Sequence, residues 1–314
     1  MNHDLAFVEE IRADPHDEMP RLIYADYLED TGDPRGELIR VQCELAKLPP
    51  GDPARVGLNA RERELLDSHA EKWLQLLREL GAEGISARCF QRGLIERIRM
   101  RAATFLANGE ELCRFAPAVY CVELRNPQDV LDELVAASMP AQISEIDFSA
   151  NRLDAAAIRA FHDAPWTEQV EALNVQFNQL SDDGLTELLA CNWPKLQRLN
   201  LGANRIGPAG FQALSDSLAM AHVSELSLNV NSAGDAGAAM MANSANFEHI
   251  RQLDLGSNGI GSAGAASIAR SGAFPALKRL NLRANRIGRA GRDALFQSTT
   301  LSLDSLDLRN NNAE

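Results

Sequence analysis

No stretch of this chain is apolar over the roughly 18 consecutive residues that a bilayer-spanning helix needs, which excludes a membrane helix. The first residues, MNHDLAFVEEIRAD, lack a basic region followed by an apolar core, so no secretion leader is expected and the cytoplasm is the default compartment. No CxxC pair occurs among the five cysteines, Cys43, Cys89, Cys113, Cys121 and Cys191. An odd, scattered set in an unsecreted chain reads as reduced, buried thiols rather than a zinc site or a disulfide framework. Lysine is nearly missing, 4 residues against 27 arginines, so arginine is the ordinary cation here and clusters of it arise from composition alone. A Ser/His/Asp set, a Gly-rich phosphate loop and an HExxH helix are all absent, which predicts a non-catalytic protein with no cofactor.

Acid is in excess. The net charge is −13, with 11 basic and 19 acidic residues in 1–88 and 20 and 25 in 89–314, that is −8 and −5. Such a chain repels phosphate backbones overall, which argues against general nucleic-acid binding.

The dominant feature is a period. LQRLNLGANRIGPAG from Leu196, IRQLDLGSNGIGSAG from Ile250 and LKRLNLRANRIGRAG from Leu277 share LxxLxLxxNxIGxxG. The asparagines fall at Asn151, Asn178, Asn204, Asn231, Asn258, Asn285 and Asn311, at spacings of 27, 26, 27, 27, 27 and 26 residues. Each unit reads as a short strand, a turn at the asparagine and an Ala-rich helical return. Strand alternation points Leu199 and Leu201 inward and Arg198, Asn200 and Gly202 outward. The repeated asparagine is expected to satisfy backbone amides where the chain leaves the strand. Six residues further on, Gly184, Gly210, Gly237, Gly264 and Gly291, with Ala157 in the first full unit, let helices approach closely. Phe161, Leu188, Leu214, Met241, Ile268 and Leu295 form the apolar stripe that seats each helix, and Trp193, Phe247 and Phe274 read as core plugs at the helix-to-strand return.

This pattern resembles leucine-rich repeats of the ribonuclease-inhibitor-like subclass over 141–314. Weaker strand cores in LIERIRMRA (94–102) and VYCVELRNP (119–127) extend the expected solenoid, 89–314, upstream to residue 89, with degenerate first units and a last unit truncated after its strand. The expected fold is an α/β solenoid, a curved array with a parallel concave sheet and convex helices, preceded by an all-α capping domain over 1–88. Residues 1–88 show helical periodicity broken at Asp-Pro and at the Pro-rich LPPGDP. With PRLIYADYLEDTGDPRGELIRVQCEL, these features resemble the bacterial repeat-companion domain that precedes such repeats. That resemblance implies an N-terminal cap and no chemistry.

Within this helical part lies Asp30-Thr31-Gly32, the signature triplet of aspartic proteases. That chemistry needs two such loops sharing a proton, and there is one, between helical patterns. A calcium loop starting at Asp30 would place Gly32, Pro34 and Val41 where oxygen ligands belong. The triplet therefore reads as a helix stop, with Asp33 capping the next helix and Pro34 at its first position. His222 and His249 are one repeat apart and close enough to share a metal, but no third ligand shares their column, so both read as solvated.

The concave sheet or the ascending loops are expected to bind the partner, and the concave face supplies the candidate residues. Its central column is Arg99, Glu123, Asp147, Asn174, Asn200, Ser227, Asp254, Asn281 and Asp307; the next includes Arg101, Arg125, Gln176, Asn229, Arg283 and Arg309. Arg97 joins Arg99 and Arg101 on one strand as a candidate anion or acidic-partner site. These columns lack aromatics, which predicts a polar partner or modest affinity. The expected function is a protein-interaction module or scaffold for an unidentified protein partner. The alternative is an inhibitor or activator of a cytosolic enzyme, since the resembled subclass includes ribonuclease inhibitors and activators of small GTPases. Association of two copies through the last strand is a further expectation.

Overall fold

A computed structural model describes residues 3–14 and 17–312; the Pro15 of the first Asp-Pro break lies outside the described residues. The chain divides into two compact units, 1–125 with 140–143, and 126–139 with 144–314.

The first unit opens with four helices, α1 (His3–Ala13), α2 (Met19–Asp30), α3 (Arg35–Lys47) and α4 (Arg55–Glu79). A two-residue hairpin follows, β1 (Phe90–Gln91) with β2 (Leu94–Ile95), and then β3 (Arg97–Arg101), α5 (Ala102–Phe115) and β4 (Cys121–Arg125), with β3 parallel to β4. Val8, Ile11, Tyr24, Ala25, Leu28, Ile39 and Cys43 form one buried cluster that also takes in Leu94 and Ala118, so the helices share a core with the first repeat. Polar contacts reinforce the join. Gln42 Oε1 accepts the Gly93 amide at 2.6 Å, and fully buried Arg21 meets buried Glu96 at 2.6 Å. A Cβ on Gly93 would sit 2.2 Å from Ile39, so only glycine lets the hairpin turn, at φ +82°, approach α3 this closely.

The Asp30-Thr31-Gly32 triplet is a helix stop. Gly32 takes φ +76°, its amide bonds Glu29 O at 2.9 Å, and the Asp33 amide bonds Leu28 O at 2.8 Å, the paired bonds of a Schellman motif. Asp33 Oδ1 then accepts the Arg35 amide at 2.9 Å, which starts α3. The assigned helix begins at Arg35, one residue later than the sequence suggested, within the usual tolerance of helix ends.

The second unit is repetitive: α6 (Leu131–Ala136), β5 (Glu145–Asp147), α7 (Ala155–Arg159), β6 (Ala172–Asn174), α8 (Ser181–Ala190), β7 (Arg198–Asn200), α9 (Pro208–Asp216), β8 (Glu225–Ser227), α10 (Gly234–Ala242), β9 (Gln252–Asp254), α11 (Ser262–Arg270), β10 (Arg279–Asn281), α12 (Arg289–Phe296) and β11 (Ser305–Asp307). Strands β5 to β11 form a parallel sheet whose strand order is the chain order. The fold is an α/β solenoid. Its register is strict: Leu173, Leu199, Leu226, Leu253, Leu280 and Leu306 pair across neighbouring strands. The inward leucines from Leu173 to Leu280 are buried, each contributing roughly 1.5–3 kcal/mol of transfer free energy. Phe161, Leu188, Leu214, Met241, Ile268 and Leu295 seat the helices from the other side, and Trp193, Phe247 and Phe274 are buried as plugs.

The asparagines form the expected ladder. Asn178 Oδ1 accepts the amides of Asn151 and Leu153 at 3.1 and 2.9 Å, while its Nδ2 donates to Phe148 O and Val175 O. Asn231 and Asn285 repeat this pattern on both sides of the strand exit. Asn204 departs from it. Its Nδ2 donates to Val175 O and Leu201 O, but its buried Oδ1 receives no donor among the described residues. The preceding turn sends the Ser181 amide to the Asn204 main-chain oxygen instead.

A second ladder joins the helices. Asp182 Oδ1, in α8, accepts the Gly207 amide at 2.6 Å at the start of α9; Asp235, in α10, accepts the Gly261 and Gly264 amides at 2.7 and 2.8 Å in α11; Ser262, in α11, accepts the Gly288 amide at 3.0 Å before α12. The starts of α9, α11 and α12 are thus each capped by a side chain of the previous repeat. The helix glycines leave room for these caps, because a Cβ on Gly210 or Gly264 would lie 2.6 Å from the capping carboxylate.

Candidate interaction surface

Strand pairing aligns the outward side chains in columns. Arg99 faces Glu123 between β3 and β4, and Asp147, Asn174, Asn200, Ser227, Asp254, Asn281 and Asp307 stand in one row from β5 to β11. Within each unit the residues of the expected central column thus stand in register. One half of each polar group, though, serves the fold. Asp147, Asn174, Asn200, Asp254, Asn281 and Asp307 each accept, through Oδ1, the backbone amide two residues on, at 2.8 to 3.1 Å. This turns the chain out of the strand, and the other half of the group bonds neighbours on the same face: Asn174 Nδ2 donates to Asp147 Oδ2 at 2.9 Å and Asn200 Nδ2 to Gln176 Oε1 at 3.2 Å.

Charge on this face is paired locally. Arg97, Arg99 and Arg101 alternate with buried Ile98 and Met100, as expected, but Arg99 Nε lies 2.7 Å from Glu123 and Arg101 Nε 3.5 Å from Glu83. Glu145 pairs with Arg198 two strands away, and Glu225 accepts from Gln252 at 2.7 Å. Asp307 accepts from the Arg309 side chain and amide, which hold its carboxyl down at about 2. Arg125 and Arg283 stand exposed in the third column.

That column alternates. Gln176 and Asn229 bracket Gly202, and Gln176 Nε2 reaches Asn229 Oδ1 at 3.4 Å above it, where a Cβ would lie 2.0 Å from that oxygen. The turns behind the column alternate in step. Every unit places one residue in the left-handed region just before its ladder asparagine: Ala150, Phe177, Ala203, Val230, Ser257, Ala284 and Asn310, at φ between 53° and 59°. The second left-handed residue differs. It follows the asparagine at Arg152, Arg205 and Gly259, but comes three residues after it at Ser181 and Gly234. From Ala150 to Ser257, units with bulky Phe177 and Val230 thus alternate with units carrying a small residue and, in two cases, an arginine; Ala284 after Ser257 ends the alternation. The period of 53 residues, from Phe177 to Val230 and from Arg152 to Arg205, is legible in the sequence once units are compared two apart.

Elsewhere the chemistry is quiet. Cys113 and Cys191 are pushed up to about 12 by burial, so neither thiol is poised as a nucleophile. Among the described residues no group of three or more His, Cys, Asp or Glu side chains could hold a metal ion, and His222 and His249 are both exposed. No helix among them is long and apolar enough to cross a membrane. The cleft beside Gly32 and Asp33 holds ion pairs. Burial pushes the Asp33 carboxyl up, but hydrogen bonds from Arg35 outweigh this and keep it below its usual value; Arg61 grips Glu37 with two bonds and lowers it likewise.

Three segments, 170–189, 194–215 and 248–269, match the Leucine Rich repeat family model. By that match these three segments are leucine-rich repeats. Each covers strand, ladder asparagine and helix, and the same framework recurs in the unit between the second and the third. No curated protein matches the chain. Solved structures similar to it include an internalin from Listeria monocytogenes, at 17% identity over 63% of this chain and 57% of that one, TM-score 0.41. A TLR13–ssRNA13 complex is similar at 17% identity over 67% of this chain and 27% of that one, TM-score 0.40, and a TDR receptor at 14% over 66% and 37%, TM-score 0.33. The chain therefore spans 57% or less of the length of each of these structures.

Proposed function

We propose that the protein is a non-catalytic interaction module in which residues 89–314 present a protein-binding solenoid and the helical residues 1–88 serve as its companion cap. The supporting observation is the in-register exposed face of the parallel sheet. Polar and charged side chains stand there in columns about 4.8 Å apart from strand to strand, held by backbone bonds that fix their direction. A pre-oriented polar array loses little side-chain freedom on binding, which favours a protein surface over a small molecule. Leucine-rich repeats generally mediate protein–protein interaction, and that analogy of fold adds to the reading.

The test is affinity purification from the native cell with mass spectrometry, comparing the chain with an Arg125→Glu/Arg283→Glu variant, whose side chains are exposed on the sheet face. Capture of a defined protein by the unaltered chain and its loss in the variant is the expected result; identical captured sets would refute the sheet face. Self-association through β11 belongs to the same proposal. Its support is that Leu306 and Leu308 are only half-buried, whereas Leu280 and Leu282 are 2% and 0% exposed. Light scattering that shows only monomer at tens of micromolar removes it.

A further inference from the structure

Large apolar side chains stand in solvent at two equivalent turns, where folding gives no reason for them. Phe177 is 59% exposed and Val230 51%. Both take left-handed backbone conformations, at φ 56°, which bulky and β-branched residues disfavour. The other units make the same turn with Ala150, Ala203, Ser257, Ala284 and Asn310. Neither conformational preference nor burial accounts for a phenylalanine and a valine here, and exposed apolar anchors of this kind mark contact sites.

Their neighbourhood specifies the occupant. The backbone ladder continues past the strands, with the Ala150, Phe177, Ala203 and Val230 amides bonded to Gln176, Gly202, Asn229 and Gly256 oxygens at 2.8 to 2.9 Å, so these turns are in register. Phe177 and Val230 lie two strands apart, about 10 Å, close to one three-residue turn of an extended polyproline-II chain at about 3.1 Å per residue, which returns side chains i and i+3 to the same face. Arg152 and Arg205 project from the small-residue turns on either side of Phe177, exposed and without a hydrogen bond or ion pair among the described residues. Of the carboxylates in the same turns, Asp154 caps Ala157, Asp182 caps Gly207 and Asp235 caps Gly261, while Asp183 stands exposed in the first turn of α8. An otherwise acidic molecule, at −13, thus shows a strip where cations and apolar groups alternate.

We propose that this turn edge, anchored by Phe177 and Val230 and flanked by Arg152 and Arg205, docks an extended acidic protein segment that carries apolar side chains three residues apart. The proposal rests on the reading of the array as a protein-binding surface, and moves the anchors from the sheet face to the turns. The net charge disfavours a nucleic acid at the same strip, although an aromatic ring between arginines could stack a base, so that occupant is an arm of the test.

The probe is a fluorescein-labelled acidic nonapeptide with leucine at every third position, titrated by fluorescence anisotropy into the full chain and into Phe177→Asn. Asparagine suits a left-handed turn, so this variant keeps its fold, which circular dichroism and the melting temperature verify. Saturable binding to the unaltered chain is expected, weakened about tenfold or more by Phe177→Asn and by Arg152→Ala/Arg205→Ala. The same peptide with serine in place of leucine, and an oligouridine, should bind far more weakly. Absence of saturable binding, equal binding by folded Phe177→Asn, equal binding of the serine peptide, or tighter binding of oligouridine each overturns the proposal. A cellular partner lost from the Arg125→Glu/Arg283→Glu variant but retained by Phe177→Asn also overturns it, while leaving the sheet-face reading standing.

Discussion

The two compact units bury polar groups in opposite ways. In the first, one charged pair, Arg21 with Glu96, is sealed between α2 and the entry to β3. In the second, burial of neutral amides is repeated unit after unit, Asn151 to Asn285, each bonded to backbone, and through both Oδ1 and Nδ2 except at Asn204. A charge pair is an all-or-none joint, because either partner alone in a low-dielectric site is strongly unfavourable. An amide ladder is graded, since each rung holds only its neighbours.

The sharpest way to break the contrast is to remove half of the charged pair. Glu96→Ala should destabilise the first unit by about 3–5 kcal/mol, and Arg21→Met/Glu96→Leu by much less, because the double change leaves no buried charge. Urea unfolding followed at Trp73, which packs on Phe90 in that unit, reads this separately from Trp166 and Trp193 in the repeats. The next effect is graded along the ladder. Asn178→Ala strips two acceptor and two donor bonds and should cost about 3 kcal/mol; Asn204→Ala, whose Oδ1 serves no donor, should cost about half of that. Equal losses would show that the missing bonds at Asn204 are immaterial.

Gly264→Ala is a smaller intrusion. Its methyl group would collide with Asp235 and dislodge the cap of α11, for about 1–3 kcal/mol, whereas Gly272→Ala, with open space around it, should be neutral within about 0.5 kcal/mol. Thermal melts of both variants separate crowding from glycine flexibility. Smallest is a pH effect at β11. Asp307 has its folded pKa lowered, so its contribution is complete above the ordinary carboxylate value of 3.8 and fades as pH falls toward about 2. Hydrogen exchange at the Leu282 amide, which bonds Asp307 O, should accelerate across that window and lose its pH dependence in Asp307→Asn.

Much of the repeat array was legible because its signals are local and periodic. The ladder asparagines, the strand leucines and the Phe247 and Phe274 plugs recur at one spacing, and each has a single physical role. The helix caps were hidden by the same habit of reading one unit at a time: Asp182 looks like an ordinary first-turn acid until the next repeat is stacked on it. Arg21 and Glu96 lie 75 positions apart with no periodic partner, so only folding brings them together. The outward strand positions end at Gln176 and Asn229, one residue short of Phe177 and Val230, and the ascending loops offered no residue pattern as regular as the strands. The alternation of the turns escaped because a single repeat length was used as the ruler.

That alternation has a consequence for how the chain could lengthen. An insertion of one unit would set two like turns side by side, placing Gly202 beside a second glycine, or Gln176 against another long side chain with no gap to span. Adding 53 or 54 residues preserves both turn types and the carboxylate caps that recur at Asp182 and Asp235. The cassette available to duplication, or to a designer, is therefore a pair of repeats, and chains built from odd numbers of them would carry a seam.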